Sequence, residues 1–168
     1  PTHLNRNSLL VKQSIEYAKA GGFVDITTGI KNEEDTSVSA SQLYVSMLKE
    51  HISPYHITMS SDAGGSIPIF DHNGNLIKLT VGLPNTNMET IRESIKRGVS
   101  PENSLIPFTC SPARLLKLKG KGRIKEGFDA DILLLDKKWN LYCVIARGKI
   151  MVNNYKPVVY GTFEHPNS

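Results

Sequence analysis

The residues best suited to chemistry lie in the segment 57–66, ITMSSDAGGS. It begins as an apolar run typical of a short buried strand, and Asp62 follows. Enzymes built as (β/α)8 barrels carry catalytic groups at the carboxyl ends of their strands, so Asp62 is a candidate metal ligand and proton shuttle. The alternative is a turn or helix-capping aspartate, as are most aspartates that precede glycine. Spacing alone leaves both interpretations open.

The turn after Asp62 is rich in glycine and ends in a hydroxyl. Gly64 and Gly65 would let the backbone approach a ligand, and Ser66 could hydrogen-bond a carboxylate. The segment lacks the lysine of a phosphate-binding loop, so by itself it is a weak signal.

A second candidate group lies at the start of the sequence, THLNRN. His3 could bind a metal through one imidazole nitrogen, or be an ordinary terminal histidine. Arg6 suits two-pronged binding of a carboxylate, although a solvated arginine is the default. Thr27 and Thr28, at the end of a predicted strand, could line a pocket. An opening with His and Arg three residues apart suggests that the chain begins inside a larger unit.

The remaining candidates favour structural or solvated roles. The sequence contains no HxH, HExxH or CxxC pair, so it cannot by itself complete a two-metal site. Cys110 and Cys143 fit reduced core thiols of a cytosolic protein. Structural or solvated positions are expected for His51, His56, His72, His165, Asp129 and Asp131.

Composition indicates an ordinary globular protein of 168 residues with 39% apolar residues and a net charge of +4. It contains no apolar run long enough for a membrane span and no visible signal peptide, so we expect a cytoplasmic protein without a membrane partner. The basic run 117–125 could be a nucleic-acid patch or a solvated loop. No aromatic residues interleave with it, which favours the loop and no nucleic-acid partner.

The first elements predict a parallel sheet. Helical spacing of apolar residues covers 8–20 and 38–50, and strand-like runs cover 22–28 and 57–61. With the extended start of the chain, the order is βαβαβ, which implies parallel strands. Since parallel strands bury both faces, we expect the four apolar strand residues to need cover on two sides. These residues are Val24, Ile26, Ile57 and Met59.

Later elements differ in character. Residues 71–75 predict a surface loop, and a helix is expected from Thr86 or Asn87 to Gly98. Ser100 and Ser111 each precede a proline and are predicted helix caps. Antiparallel strands of a separate β-unit are predicted at 131–135, 141–146, 150–152 and 158–159.

Two segments carry a family resemblance. Residues 109–118 (TCSPARLLKL) and 121–132 (KGRIKEGFDADI) resemble the C-terminal signature of the amidohydrolase superfamily. Within it, the sequence is most similar to the isoaspartyl dipeptidase (β-aspartyl peptidase) family. That likeness rests on THLNRN, VDITT, SSDAGGS, FDHNGNL, ARGKIMVNN and GTFE, which span essentially the whole chain.

The resemblance implies an α/β fold: the last three strands of a (β/α)8 TIM barrel over residues 1–118, then strands of a small β-sandwich over 119–168. His3 matches a metal-binding histidine. Asp62 matches a metal ligand that takes a proton from the bridging hydroxide and passes it to the leaving amine. Arg6 and Ser66 match residues that hold a substrate carboxylate. The cofactor would be two divalent metals, usually zinc.

The expected function is that of a C-terminal portion of a binuclear-metal peptidase acting on β-aspartyl dipeptides, inactive alone. The other metal ligands would lie on a missing N-terminal half, and a homo-oligomer is expected. Alternatives are a hydantoinase-like or acyl-amino-acid hydrolase, or a non-catalytic assembly fragment. One departure is local, since Ala63-Gly64 stands where the family commonly has Gly-Asn, which leaves fine specificity open.

Overall fold

A computed structural model describes residues 1–30 and 37–162, and His165 of the sequence analysis lies outside them. The chain divides into two compact units, Pro1–Leu116 and Lys117–Ser168. Among the described residues, no helix has the length and apolarity needed to cross a membrane.

The first unit mixes helices with two small sheets. Its α-helices are α1 (Val11–Lys19), α2 (Ala40–Lys49), α3 (Thr86–Lys96), α4 (Pro101–Leu105) and α5 (Cys110–Leu115). Its strands are β1 (Val24–Thr27), β2 (Ile57–Ser60), β3 (Ser66–Phe70) and β4 (Leu76–Val81). Short 3-10 turns cover Leu4–Arg6, Ser8–Leu10, Pro54–His56 and Ile106–Phe108.

Strands β1 and β2 are parallel, as predicted, with Val24 opposite Ile57 and Thr27 opposite Ser60. The extended start of the chain is not a third strand, although the Asp25 N–H donates to the Pro1 carbonyl. The described residues thus hold two parallel strands where three were expected. The assignment of this unit to a (β/α)8 barrel remains a prediction.

The expectation of apolar cover on both faces of this sheet is wrong. Val24, Ile26, Ile57 and Met59 share one face and join a single core with α1 and α2 residues such as Ala18, Leu43 and Met47. Side chains alternate along a strand, so the other face carries the intervening residues. These are Asp25, Thr27, Thr58 and Ser60, all polar.

Side-chain capping explains where two helices begin. Ser39 and Gln42 form a reciprocal capping box at the start of α2, and Ser100 accepts the Asn103 N–H at the start of α4. The second predicted proline cap is wrong. Ser111 lies inside α5, and its hydroxyl donates to the Pro54 carbonyl at 2.8 Å, so it does not cap the start of a helix.

Strands β3 and β4 form an antiparallel hairpin that the sequence analysis missed. The predicted loop 71–75 is its turn. The Asp71 carboxylate there accepts the Asn73 and Asn75 N–H groups, and hydrogen bonds from Asn75 lower the pKa of Asp71. Ile67 is buried, whereas Leu79 and Val81 are each 61% exposed. One hairpin face therefore packs inward while the other is apolar and open.

The second unit is a four-stranded antiparallel sheet in sequence order. Its strands are β5 (Ile132–Leu135), β6 (Leu141–Ala146), β7 (Lys149–Asn153) and β8 (Lys156–Pro157). Three of the predicted antiparallel strands are present, but the fourth, predicted at 158–159, is wrong, because the last strand lies at Lys156–Pro157. The assignment of this sheet to a β-sandwich remains a prediction.

Candidate functional site

The end of β1 is held by the side-chain amide of Asn5, which is fully buried. Asn5 Oδ1 accepts the Thr27 N–H at 3.0 Å, and Asn5 Nδ2 donates to the carbonyls of Thr27 at 2.9 Å and Val38 at 3.0 Å. One amide therefore satisfies both backbone groups of the last residue of β1. The sequence analysis did not select Asn5, although it stands between His3 and Arg6 in the THLNRN motif.

His3 lies beside the same residue. Its Nδ1 is 2.7 Å from the Thr27 hydroxyl, and Thr27 is fully buried. A metal-binding histidine typically uses one ring nitrogen for the ion and fixes its ring through the other. Thr27 engages Nδ1, which leaves Nε2 as the nitrogen for a ligand. Thr27 thus orients a neighbouring ligand candidate, whereas the sequence analysis suggested that it lines a pocket.

Thr28 connects the end of β1 to the start of α3. Its hydroxyl lies 2.7 Å from the Thr86 hydroxyl and donates to Asn87 Oδ1 at 2.8 Å. Its N–H donates to the Ser60 carbonyl at 2.9 Å, at the end of β2. The residues that contact His3 and the segment that leads to Asp62 therefore lie at the same, carboxyl end of the sheet.

Asp62 occupies a tight turn directly after β2, with a φ of 51° in the left-handed region. Its carbonyl accepts the Gly65 N–H at 2.9 Å. A Cβ on Gly65 would lie 2.6 Å from Asp62 Oδ1, so the carboxylate rests close to the Gly65 backbone and a side chain there would displace it. The turn interpretation and the catalytic interpretation of Asp62 are therefore compatible.

Arg6 follows His3 along the chain, and Ser66 follows the Asp62 turn. Arg6 ends the first 3-10 turn, and its N–H donates to the His3 carbonyl at 3.0 Å. Its Nε is buried and has no hydrogen-bond partner among the described residues. Ser66, the first residue of β3, is exposed and pairs with Val81 of β4. An unsatisfied guanidinium nitrogen and an open hydroxyl suit a carboxylate ligand.

A further group lies on the polar face of the sheet and was not predicted from the sequence. The Asp25 carboxylate accepts three hydroxyls, from Thr2 at 2.6 Å, Thr58 at 2.8 Å and Ser60 at 3.0 Å. The alternation of Asp25 with buried Val24 and Ile26 was the available signal. Through these hydrogen bonds Asp25 connects β1 with β2 and with the chain start, so it stabilises the sheet that carries the candidate site.

Other residues keep the structural roles expected of them. His56 stacks on Phe23 with ring centroids 5.1 Å apart, His51 and His72 are exposed, and Cys143 is buried. In the second unit, Lys121 lies 2.8 Å from Asp129 and also pairs with Asp131, and these carboxylates raise the pKa of Lys121. This pairing neutralises the centre of the basic run.

The donor types at the first unit's site suit zinc, which binds imidazole nitrogen and carboxylate oxygen. Two such side chains do not complete a zinc site. Zinc usually takes four ligands, and the described residues contain no group of three His, Cys, Asp or Glu side chains placed to hold a metal. The described residues alone therefore do not form a zinc site.

Comparison with solved structures gives a close likeness. A β-aspartyl dipeptidase from Fervidobacterium islandicum, crystallised with a β-Asp-Leu dipeptide, is 33% identical with a TM-score of 0.84. The match covers 98% of this chain and 42% of that one. The chain thus spans less than half of that enzyme.

Two other matches cover less of this chain. N-acetylglucosamine-6-phosphate deacetylase from Pasteurella multocida shares the fold at 16% identity and a TM-score of 0.56, over 78% of this chain and 37% of that one. Adenine deaminase from Clostridium perfringens is 36% identical over 78 residues, which are 45% of this chain and 14% of that protein. No protein-family model matches.

Proposed function

We propose that the complete protein hydrolyses β-aspartyl (isoaspartyl) dipeptides. The premise is that this chain belongs to the amidohydrolase superfamily and resembles β-aspartyl dipeptidase over nearly its whole length. The supporting observation is that His3 contacts the last residue of β1 and Asp62 follows β2, in a chain that matches such an enzyme with a TM-score of 0.84. The complete protein would comprise this chain and an N-terminal half that carries further metal ligands.

In this mechanism, each residue has a distinct task. Arg6 binds a substrate carboxylate through its guanidinium fork, and Ser66 donates its hydroxyl to a carboxylate. Asp62 accepts a proton as water attacks the amide and delivers it to the leaving amine. His3 and Asp62 would contribute to binding two divalent metals, which when bound polarise the amide carbonyl and activate water.

The decisive experiment is an assay of the complete protein, loaded with zinc, on β-Asp-Leu, α-Asp-Leu and adenine. Release of leucine from β-Asp-Leu alone is the expected result. Adenine is included because the deaminase match covers 78 residues of this chain. Ammonia release from adenine, with no peptide cleavage, would replace the dipeptidase proposal with a deaminase.

Arg6→Lys in the complete protein should raise KM for β-Asp-Leu more than it lowers kcat. An ammonium cannot reproduce the two parallel hydrogen bonds of a guanidinium, and a contact equally strong in ground and transition states appears in KM when lost. Initial-rate kinetics measure this, with exposed Arg114→Lys as the matched control. An unchanged KM would show that Arg6 does not touch substrate.

Thr27→Val should lower zinc affinity of the complete protein by about 10–100-fold, because His3 loses the hydroxyl that fixes its ring. Valine keeps the shape of the buried side chain. Competition with a chelating dye measures affinity without reference to catalysis. Thr58→Val is the control, since that hydroxyl bonds Asp25 and not His3. Equal zinc affinities for wild type and Thr27→Val would show that the Thr27 hydroxyl does not help to position His3.

A further inference from the structure

We propose that Gly82, at the end of the β3–β4 hairpin, is a positioning residue that sets the orientation of Asp62, an inference whose catalytic consequence rests on the proposed function. The hairpin leaves the Asp62 turn at Ser66 and returns its last strand to the same turn. Gly82 follows Val81 there, is buried, and pairs with Ala63 in an isolated bridge.

Both backbone groups of Gly82 are used by the Asp62 turn. The Gly82 N–H donates to the Gly65 carbonyl at 2.9 Å, and the Gly82 carbonyl accepts the Gly64 N–H at 3.1 Å. The Gly65 N–H in turn donates to the Asp62 carbonyl at 2.9 Å. These three bonds connect the end of the hairpin to the residue that carries the proposed proton acceptor.

The contact is also too close for any side chain at position 82. A Cβ on Gly82 would lie 2.1 Å from the Asp62 carbonyl oxygen, 2.7 Å from the Asp62 carbonyl carbon and 2.9 Å from the Ser61 carbonyl oxygen. All three atoms are backbone, so relief requires the Asp62 turn itself to move. Gly82 is not in the left-handed region, so its own conformation does not require glycine. Glycine is required at position 82 because the Asp62 backbone lies so close to it.

Displacement of the turn reorients the Asp62 carboxylate, which rests against Gly65. Proton transfer depends on position, and a shift of about 1 Å in a catalytic group can cost about 10²-fold in rate. Gly82 touches neither substrate nor metal in this scheme and acts through Asp62.

The test compares Gly82→Ala with Gly74→Ala in the complete protein. Gly74 lies in the turn of the same hairpin at a φ of 82°, and a Cβ there meets no atom within 4 Å. Alanine at Gly74 therefore strains the hairpin without reaching Asp62. We expect Gly82→Ala to lower kcat on β-Asp-Leu by about 10–100-fold and Gly74→Ala to change it by less than about 2-fold.

A double-mutant cycle separates positioning from general destabilisation. In an Asp62→Asn background, Gly82→Ala should cost almost nothing further, because residues that act as a unit are not additive. The full loss from Gly82→Ala in that background, or equal kcat for the two glycine variants, would overturn the proposal.

A measurement that needs no substrate distinguishes a failure of this inference from a failure of the proposed function. Hydrogen exchange of the complete protein should show protected Gly64 and Gly82 amides, with faster exchange at Gly64 in Gly82→Ala and not in Gly74→Ala. If wild type fails to cleave β-Asp-Leu but this pattern holds, the proposed function is wrong and the contact stands. Fast exchange at both amides in wild type would overturn the contact itself.

Discussion

Asp62→Asn in the complete protein is expected to lower kcat on β-Asp-Leu by about 10²-fold or more while the protein stays folded. Asparagine keeps the shape of the side chain in its turn but cannot accept a proton, and loss of a general acid or base typically costs this much. The backbone bond from Gly65 to the Asp62 carbonyl does not involve the carboxylate, so the turn should persist. Steady-state kinetics and thermal melting give the two readouts.

Asp71→Asn is the matched control for that variant. Asp71 is also a turn aspartate, whose carboxylate accepts the Asn73 and Asn75 N–H groups at 2.8 Å each. We expect its substitution to leave kcat unchanged. If Asp62→Asn behaves like Asp71→Asn, Asp62 is only a turn residue and the proposed mechanism loses its proton acceptor.

The isolated 168-residue chain is expected to show no turnover of β-Asp-Leu, even with added zinc. In the proposed function His3 and Asp62 would supply two ligands, whereas a zinc site usually needs four, and the described residues offer no cluster of three. Ordinary enzymes turn over about 1 to 10³ times per second, and we expect the isolated chain to show no turnover on that scale. The complete protein in the same buffer is the positive control.

Mixing this chain with a separately produced N-terminal half extends that experiment. Activity restored by mixing would support the view that the missing ligands lie on that half. Turnover by the 168-residue chain alone, at an ordinary enzymatic rate, would contradict the proposal that this chain holds only part of the metal site.

Local patterns in the sequence predicted most of the regular elements. Helices α1, α2 and α3 follow from apolar residues at helical spacing, and β1 and β2 from short apolar runs. The β3–β4 hairpin was missed although Asn73-Gly74 between alternating runs is a strong hairpin signal. In β4 the apolar residues Leu79 and Val81 of this alternation are exposed.

Parallel pairing was predicted, but the polar character of the sheet's second face was not. The expectation treated the apolar strand residues as buried from both sides. Register decides this point, because the alternation of Val24 and Ile26 with Asp25 and Thr27 sends the two kinds of side chain to opposite faces. The hydroxyls gathered around Asp25 became visible only once both strands and the chain start were placed.

The sequence by itself determined which groups are available for chemistry: an imidazole, a guanidinium, a carboxylate and a hydroxyl in recognisable motifs. Tertiary structure alone decided how they are supported. That Thr27 holds Nδ1 of His3, and that Gly82 lies against the Asp62 backbone, are contacts between segments distant in sequence. Periodicity and motif spacing report on neighbours along the chain, whereas such contacts depend on how helices, strands and the hairpin pack in space.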